Sequence, residues 1–258
     1  MALGRRSLRC LVPEGVTVDW KDYSPRLKEL LVLEGSPVAV TYSMTPALAG
    51  AETDRYAVCQ ALIEARSGAV IDLTRETCAC PGGVWHLGLG PRPSGKAGEV
   101  LKKFLVEGEK LFCSIATMHR TMALTSDPPV GLAEHVILSP LEKADLRPDL
   151  VVFLCNPEQA CRLVTLATYP DGKPPRAEMA GSTCHMVIAY PLVTGEINVS
   201  LMDYTSRKYR GYKTHDLFVT IPFHAMPGLM WSIDRCSAGT AKVESHPGFG
   251  QPGAGGSG

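Results

Sequence analysis

The sequence predicts an α+β fold, mixed α/β in element order and folded as a single compact globular unit, on three observations. The 258 residues are 45% hydrophobic and 20% charged, enough to bury one large core or two closely packed small ones. Short apolar runs of strand character alternate with stretches of helical spacing. Turns rich in glycine and proline separate them.

Taken in order, residues 19–34 have an amphipathic pattern, with Leu27, Leu30, Leu31 and Leu33 on one face, Ser24 as cap, Pro25 at the first helical position and Gly35 as stop. Pro37 to Ser43 is apolar and β-branched, hence a strand. From Asp54 to Ala65 helical spacing returns through Tyr56, Cys59, Leu62 and Ile63, with Gly68 as stop, and Ala69 to Leu73 forms a short strand. Cys80-Pro81-Gly82-Gly83 is a tight turn whose glycines permit close backbone approach. A loop over 91–98 leads to a helix near Glu99–Glu109. Further strands are expected at Ala133–Pro140 and Leu150–Cys155, the second the most apolar in the chain. Asn156-Pro157 caps a helix carrying Gln159, Leu163, Val164 and Leu166. Strands at Ile197–Leu201 and Asp216–Ile221 flank a basic loop, Ser206–Gly211, and Met226–Ile233 is the last helix.

Residues 1–247 thus form one α/β domain, and the glycine-rich 248–258 is a flexible tail. Two halves, 26–125 and 126–235, echo one another around Cys59 with Cys80 and Cys161 with Cys184, pairs separated by 21 and 23 residues. A duplication of this kind brings Cys80 and Cys184 together; the alternative is a chance likeness of two α/β segments.

Charge excludes some functions. Lys plus Arg total 26, as do Asp plus Glu, so there is no positive field to attract a phosphate backbone, and nucleic acid is not an expected partner. The longest apolar runs fall far short of the roughly 20 residues that cross a bilayer, so no membrane partner is expected. The start of the chain lacks the apolar core of a secretory signal, and a cytoplasmic location is the default. Nine cysteines spread over the chain suit core thiols together with metal or redox positions. No P-loop, dinucleotide fingerprint or G-x-S-x-G elbow occurs.

Cys59, Cys80 and Cys184 lie in or beside apolar segments, the last two next to glycine-containing turns where a thiolate can meet a metal. Three soft thiolates from distant segments suit an iron–sulfur cluster with one iron free of cysteine, of the [4Fe-4S] kind. Zinc is the alternative metal, although its sites show tighter cysteine pairs; buried or redox-active thiols without metal, centred on Cys78-Ala-Cys80, are a further reading. His86 and His185 are additional ligand candidates. Glu76 and His185 are candidate catalytic proton carriers. Arg207 and Arg210 could clamp a small anionic substrate, and Asn156 with Gln159, at a helix start after a buried strand, could hold an anion. Each has an ordinary structural role as its alternative.

The run Cys59-Gln-Ala…Gly68, then Glu76…Cys80-Pro-Gly-Gly…Leu87-Gly-Leu, then Pro148-Asp-Leu-Val-Val-Phe…Asn156-Pro-Glu-Gln-Ala160, then Gly181-Ser-Thr-Cys184 resembles the domain-of-unknown-function 169 family over most of residues 26–233. The resemblance implies a single-fold prokaryotic protein, often of anaerobic or metal-rich metabolism, with cluster binding suspected. The cysteines matching the family pattern are Cys59, Cys80 and Cys184; Cys78 and Cys161 are additions. The expectation is an iron–sulfur oxidoreductase or lyase acting on a small anionic molecule, supplied by an electron donor protein. A non-enzymatic binding protein for a small ligand or metal is the rival.

Overall fold

In a computed structural model, which describes residues 19–242 apart from Ala49 and Thr53, the chain forms one six-stranded antiparallel sheet with helices on both faces. The basic N-terminal run and the glycine-rich tail lie outside the described residues. No helix among the described residues is long and apolar enough to cross a membrane.

The elements are α1 (Tyr23–Leu31), β1 (Val38–Ser43), α2 (Val58–Ser67), β2 (Ile71–Leu73), α3 (Pro81–His86), α4 (Gly95–Lys103), α5 (Ile115–Met122), β3 (His135–Pro140), β4 (Leu150–Cys155), α6 (Pro157–Thr168), α7 (Tyr190–Thr194), β5 (Asn198–Ser200), α8 (Tyr204–Tyr209), β6 (Leu217–Pro222) and α9 (Met226–Ser232). One π-helical turn, His185–Ala189, leads into α7, and another, Phe104–Gly108, continues α4.

Alternation along the strands sends two sets of side chains to opposite faces. Val38, Val40, Leu138, Leu150, Val152 and Phe218 join α2 and the π turn in one core layer. Ala39, Val151, Phe153, Val219 and Ile221 join α1, α6 and α9 in the other. At about 1.5–3 kcal/mol per fully buried Val, Leu or Phe side chain, both layers contribute substantially to holding the sheet.

Strand order is β2-β3-β1-β4-β6-β5, and it reads the same from either edge. Val38 pairs with Pro140 as Leu150 pairs with Pro222. Ile71 pairs with Leu138 as Asn198 pairs with Thr220. The central pair is self-complementary, Val38 facing Val152 and Val40 facing Leu150 across Ala39 and Val151. Both β3 and β6 end in proline and turn directly into a 3₁₀ turn. Even the isolated parallel bridges match, Glu52 to Ile71 and Arg176 to Asn198. The fold is therefore a pseudo-twofold pair, β1-β2-β3 and β4-β5-β6.

This duplication differs from the sequence alignment of its halves. β3 lies between β1 and β2, so the halves meet between residues 140 and 150, not at 125. The counterpart of α2 is the π turn with α7, each followed by a glycine and, two residues further on, an edge strand. α6 is an insertion on the opposite face, and its Cys161 is exposed. Cys59 and Cys161 are not equivalent.

Other local readings also change. Ser24 does not cap α1; it lies inside the helix, and its hydroxyl donates to Glu142. The chain leaves α1 through Val32 in the left-handed conformation rather than at Gly35. The basic stretch Arg207–Lys208–Tyr209 is not a loop but the body of α8. Cys80-Pro81-Gly82-Gly83 is the cap and first turn of α3, with Pro81 at the first helical position.

Asn156 and Gln159 form a reciprocal capping box, and Gln159 Nε2 also donates to the carbonyls of Leu31 and Val32. Their polar groups are spent on tying α6 to the end of α1. Asn156→Ala is therefore expected to cost about 1 kcal/mol in chemical denaturation, with no change in cysteine reactivity.

Candidate functional site

Four thiols gather on the α2 side of the sheet, the three expected as metal ligands and Cys78, expected only as a redox partner of Cys80. Cys59 is the second residue of α2, Cys80 caps α3, Cys78 stands two residues before it, and Cys184 opens the π turn of the other half. Cys59, Cys78 and Cys184 are 9%, 2% and 6% exposed; Cys80 is intermediate and thus the most accessible of the set.

Cys80 is the centre of the arrangement. Its sulfur accepts the Gly83 N–H at 3.2 Å, the Cys78 thiol donates to the Cys80 carbonyl at 3.7 Å, and the Cys184 thiol and the Val58 backbone stand beside the sulfur. Those contacts outweigh burial and hold the Cys80 thiol far below its ordinary range, so it is a thiolate at neutral pH. The same contacts, added to burial, push Cys78 and Cys184 up. Cys59 is raised by burial and eased down by the Ser206 hydroxyl and the Arg210 guanidinium.

Gly83 makes the packing possible. A Cβ there would stand 2.8 Å from Cys78 Sγ, 2.9 Å from Cys80 Sγ and 2.9 Å from Val58 Cγ2. Tyr212 closes the far side, its hydroxyl donating to the Cys59 carbonyl. Tyr42, on β1, has a buried hydroxyl with no hydrogen-bond partner among the described residues; burial and then Asp149 and Cys184 raise its pKa.

The histidines do meet, with ring centroids of His86 and His185 5.6 Å apart, but neither joins the sulfurs in a ligand set. His185 is held by backbone at both nitrogens: Nδ1 faces the Ala180 carbonyl at 2.7 Å, and Nε2 accepts from the Ser126 N–H at 2.9 Å. Burial lowers its pKa, so it stays neutral, with no free nitrogen to carry a proton. His86 pairs with Asp127 and stacks on Trp85.

Glu76 is exposed and accepts from Thr74 in its own turn. Arg207 is committed to the carbonyls of Lys213, Thr214 and Asp216, which fixes α8 to the chain that follows. Asn156 and Gln159 stand on α6, across the sheet from the thiols. Arg210 remains at the site: it contacts Gln60, the neighbour of Cys59, and its charge reaches the Cys59 thiol. Arg55 does the same for Cys78.

Sequence reasoning missed Ser206 and Asp203, and named Cys78 only as the redox partner of Cys80. Asp203 stands three residues before Ser206, the spacing of a helix cap, and that signal marks α8.

The donor chemistry fits a soft, thiophilic group: buried thiolate and thiols, N–H donors on sulfur, and a Cβ-free wall at Gly83. In the arrangement seen, among the described residues no group of three or more His, Cys, Asp or Glu side chains is placed to hold a metal ion.

A model of the DUF169 family, described as uncharacterised ArCR, matches residues 26–230. The uncharacterised protein MJ0308 of Methanocaldococcus jannaschii is 30% identical over 101 residues, which is 38% of this chain and 43% of that relative. The chain is thus matched to less than half the length of this curated relative. No solved structure matches it.

Proposed function

The chain belongs to the domain-of-unknown-function 169 family, and on that footing we propose that it is an iron–sulfur protein whose thiolate centre is Cys59, Cys80 and Cys184, with Cys78 as a fourth thiol beside them. The observation that carries this reading is the convergence of four cysteines from three segments, with Cys80 at their centre. A two-cysteine redox pair needs no such assembly, whereas soft cluster chemistry does.

Cys80 supplies the preformed thiolate, and Cys59 and Cys184 supply sulfur from either half once their protons leave. Gly83 and Val58 turn backbone N–H groups onto Cys80, the kind of outer contact that tunes a thiolate ligand. A bound cluster with an iron free of cysteine supplies a Lewis acid or an electron relay. Arg210 and Arg55 give the approach a positive charge suited to a small anionic substrate. Reductive and eliminating steps on such a molecule, with electrons from a donor protein, are the reactions this chemistry serves.

The test is iron and acid-labile sulfide content, with a visible spectrum, on protein purified without oxygen. About four irons per chain and a brown colour are expected for a cubane cluster, and both should vanish in Cys184→Ala. A colourless protein with about one zinc per chain would replace the cluster by a mononuclear centre. Retention of iron in Cys184→Ala would overturn the convergent site.

The hydrogen-bonded trio Cys78, Cys80 and Cys184 favours a second reading, thiol redox chemistry without metal. Joining the Cys80 thiolate to the Cys184 thiol as a disulfide releases one proton and two electrons, and a disulfide or peroxide oxidant would accept the electrons. An iron-free protein in which exactly two thiols per chain are lost on mild oxidation would support it.

A further inference from the structure

The two cysteine-bearing arms, Cys59 on α2 and Cys184 on the π turn, belong to different halves, and one carboxylate ties them together. Asp203 caps α8. Its Oδ2 accepts from the Thr183 N–H at 2.8 Å and from Thr183 Oγ1 at 2.6 Å. Its Oδ1 accepts from the Ser206 N–H at 2.8 Å, and Ser206 Oγ donates to Oδ2, also at 2.8 Å. The Asp203 N–H returns a bond to Thr183 Oγ1 at 3.0 Å. Thr183 is fully buried and adjoins Cys184; Ser206 is 7% exposed, and its hydroxyl, whose proton goes to Asp203, stands beside the Cys59 thiol.

The pseudo-twofold gives this arrangement its sense. α3 and α8 are the first helices after the edge strands of the two halves, and each N-cap side chain accepts from the N–H three residues on, Cys80 from Gly83 and Asp203 from Ser206. On one side that cap is the thiolate itself. On the other it is a carboxylate that reaches the thiols through Ser206 and Thr183.

We propose that Asp203 is a positioning residue of the thiolate centre, orienting Cys59 through Ser206 and Cys184 through Thr183. The inference rests on the thiolate-centre reading above. A carboxylate is suited to the task because it accepts at both oxygens. Asparagine keeps one acceptor oxygen and puts an NH₂ where the other stood, so either the Ser206 N–H at Oδ1 or the Ser206 and Thr183 donors gathered on Oδ2 lose their acceptor.

The experiment is a Co²⁺ titration of the full reduced chain, followed by thiolate-to-cobalt absorption, on wild type and Asp203→Asn, with thermal melts alongside. Loss of an outer partner of this kind is expected to weaken Co²⁺ binding by about 10–100-fold and to alter the charge-transfer band, with partial recovery in Asp203→Glu. A lower Tm with unchanged Co²⁺ affinity would make Asp203 a helix cap and nothing more, overturning the inference. Wild-type protein that takes up no Co²⁺ at all would overturn the thiolate-centre reading itself, a separate failure. Should Asp203→Asn not fold, Ser206→Ala and Thr183→Ala test the two links singly; wild-type affinity in both would equally overturn the inference.

Discussion

Cys80→Ala is expected to abolish metal and colour in protein purified without oxygen, and to remove the fastest-reacting buried-site thiol from the metal-free reduced chain. The second effect has a distinctive pH dependence. The thiolate is the nucleophile, and an ordinary cysteine with a pKa near 8.5 gains about tenfold in rate for each unit of rising pH below that value. Cys80 is held well below its ordinary pKa by Cys184, Cys78 and two backbone N–H groups, so it is already ionised at pH 6. Its alkylation rate should therefore be nearly flat from about pH 5 to 8, in place of the climb of an ordinary thiol. Short iodoacetamide pulses read by peptide mass spectrometry separate the two. Cys113 is exposed and lowered by Thr117 and Ser114, and serves as the surface-thiol reference. A Cys80 rate that rises tenfold per pH unit across that range would mean that the hydrogen-bonded thiolate does not exist. Low intrinsic nucleophilicity, which accompanies low pKa, would lower the plateau without tilting it.

Gly83→Ala and Gly82→Ala should move stability in opposite directions although the residues are neighbours on one helix. At Gly83 the new methyl would meet Cys78 Sγ, Cys80 Sγ and Val58 Cγ2 at 2.8, 2.9 and 2.9 Å. Overpacking of this order costs about 1–3 kcal/mol, which for a domain of this size lowers Tm by roughly 2–4 °C per kcal/mol. Because the displaced atoms are the sulfurs, metal uptake should fall with stability. A Cβ at Gly82 would meet nothing within 4 Å, and alanine there gains up to about 1 kcal/mol of helix preference. Differential scanning calorimetry of the pair decides it; a neutral Gly83→Ala would mean that the sulfurs have room the structure does not show.

The strands were the most legible part of the chain. Leu150 to Cys155 and Asp216 to Ile221 announce themselves by β-branched and aromatic runs with proline at or near one end, and the structure places both in the middle of the sheet. The meeting of Cys80 with Cys184 was also foreseeable, since each stands at the start of a helical segment beside a glycine-containing turn. Cys78 was legible only as the sequence neighbour of Cys80, because a residue two before a helix cap can face either way. α8 was hidden by its own composition: Tyr-Thr-Ser-Arg-Lys-Tyr has no apolar stripe, and the helix is held by Asp203 at its start and by Arg207 on the carbonyls beyond its end. Asn156 and Gln159 misled for the opposite reason, as a strong cap satisfies itself and leaves nothing for a ligand.

The mirrored order of the sheet bears on descent as well as on form. A motif of three strands that pairs with its own copy through β1 and β4 is a homodimer written as one polypeptide. In a true homodimer every change at the shared axis strikes twice. Fusion releases each copy to mutate alone, so one N-cap could keep sulfur as Cys80 while its twin became the carboxylate of Asp203. Asymmetric chemistry at a symmetric place is what a single gene for both copies permits, and neither half encoded separately would carry the complete site.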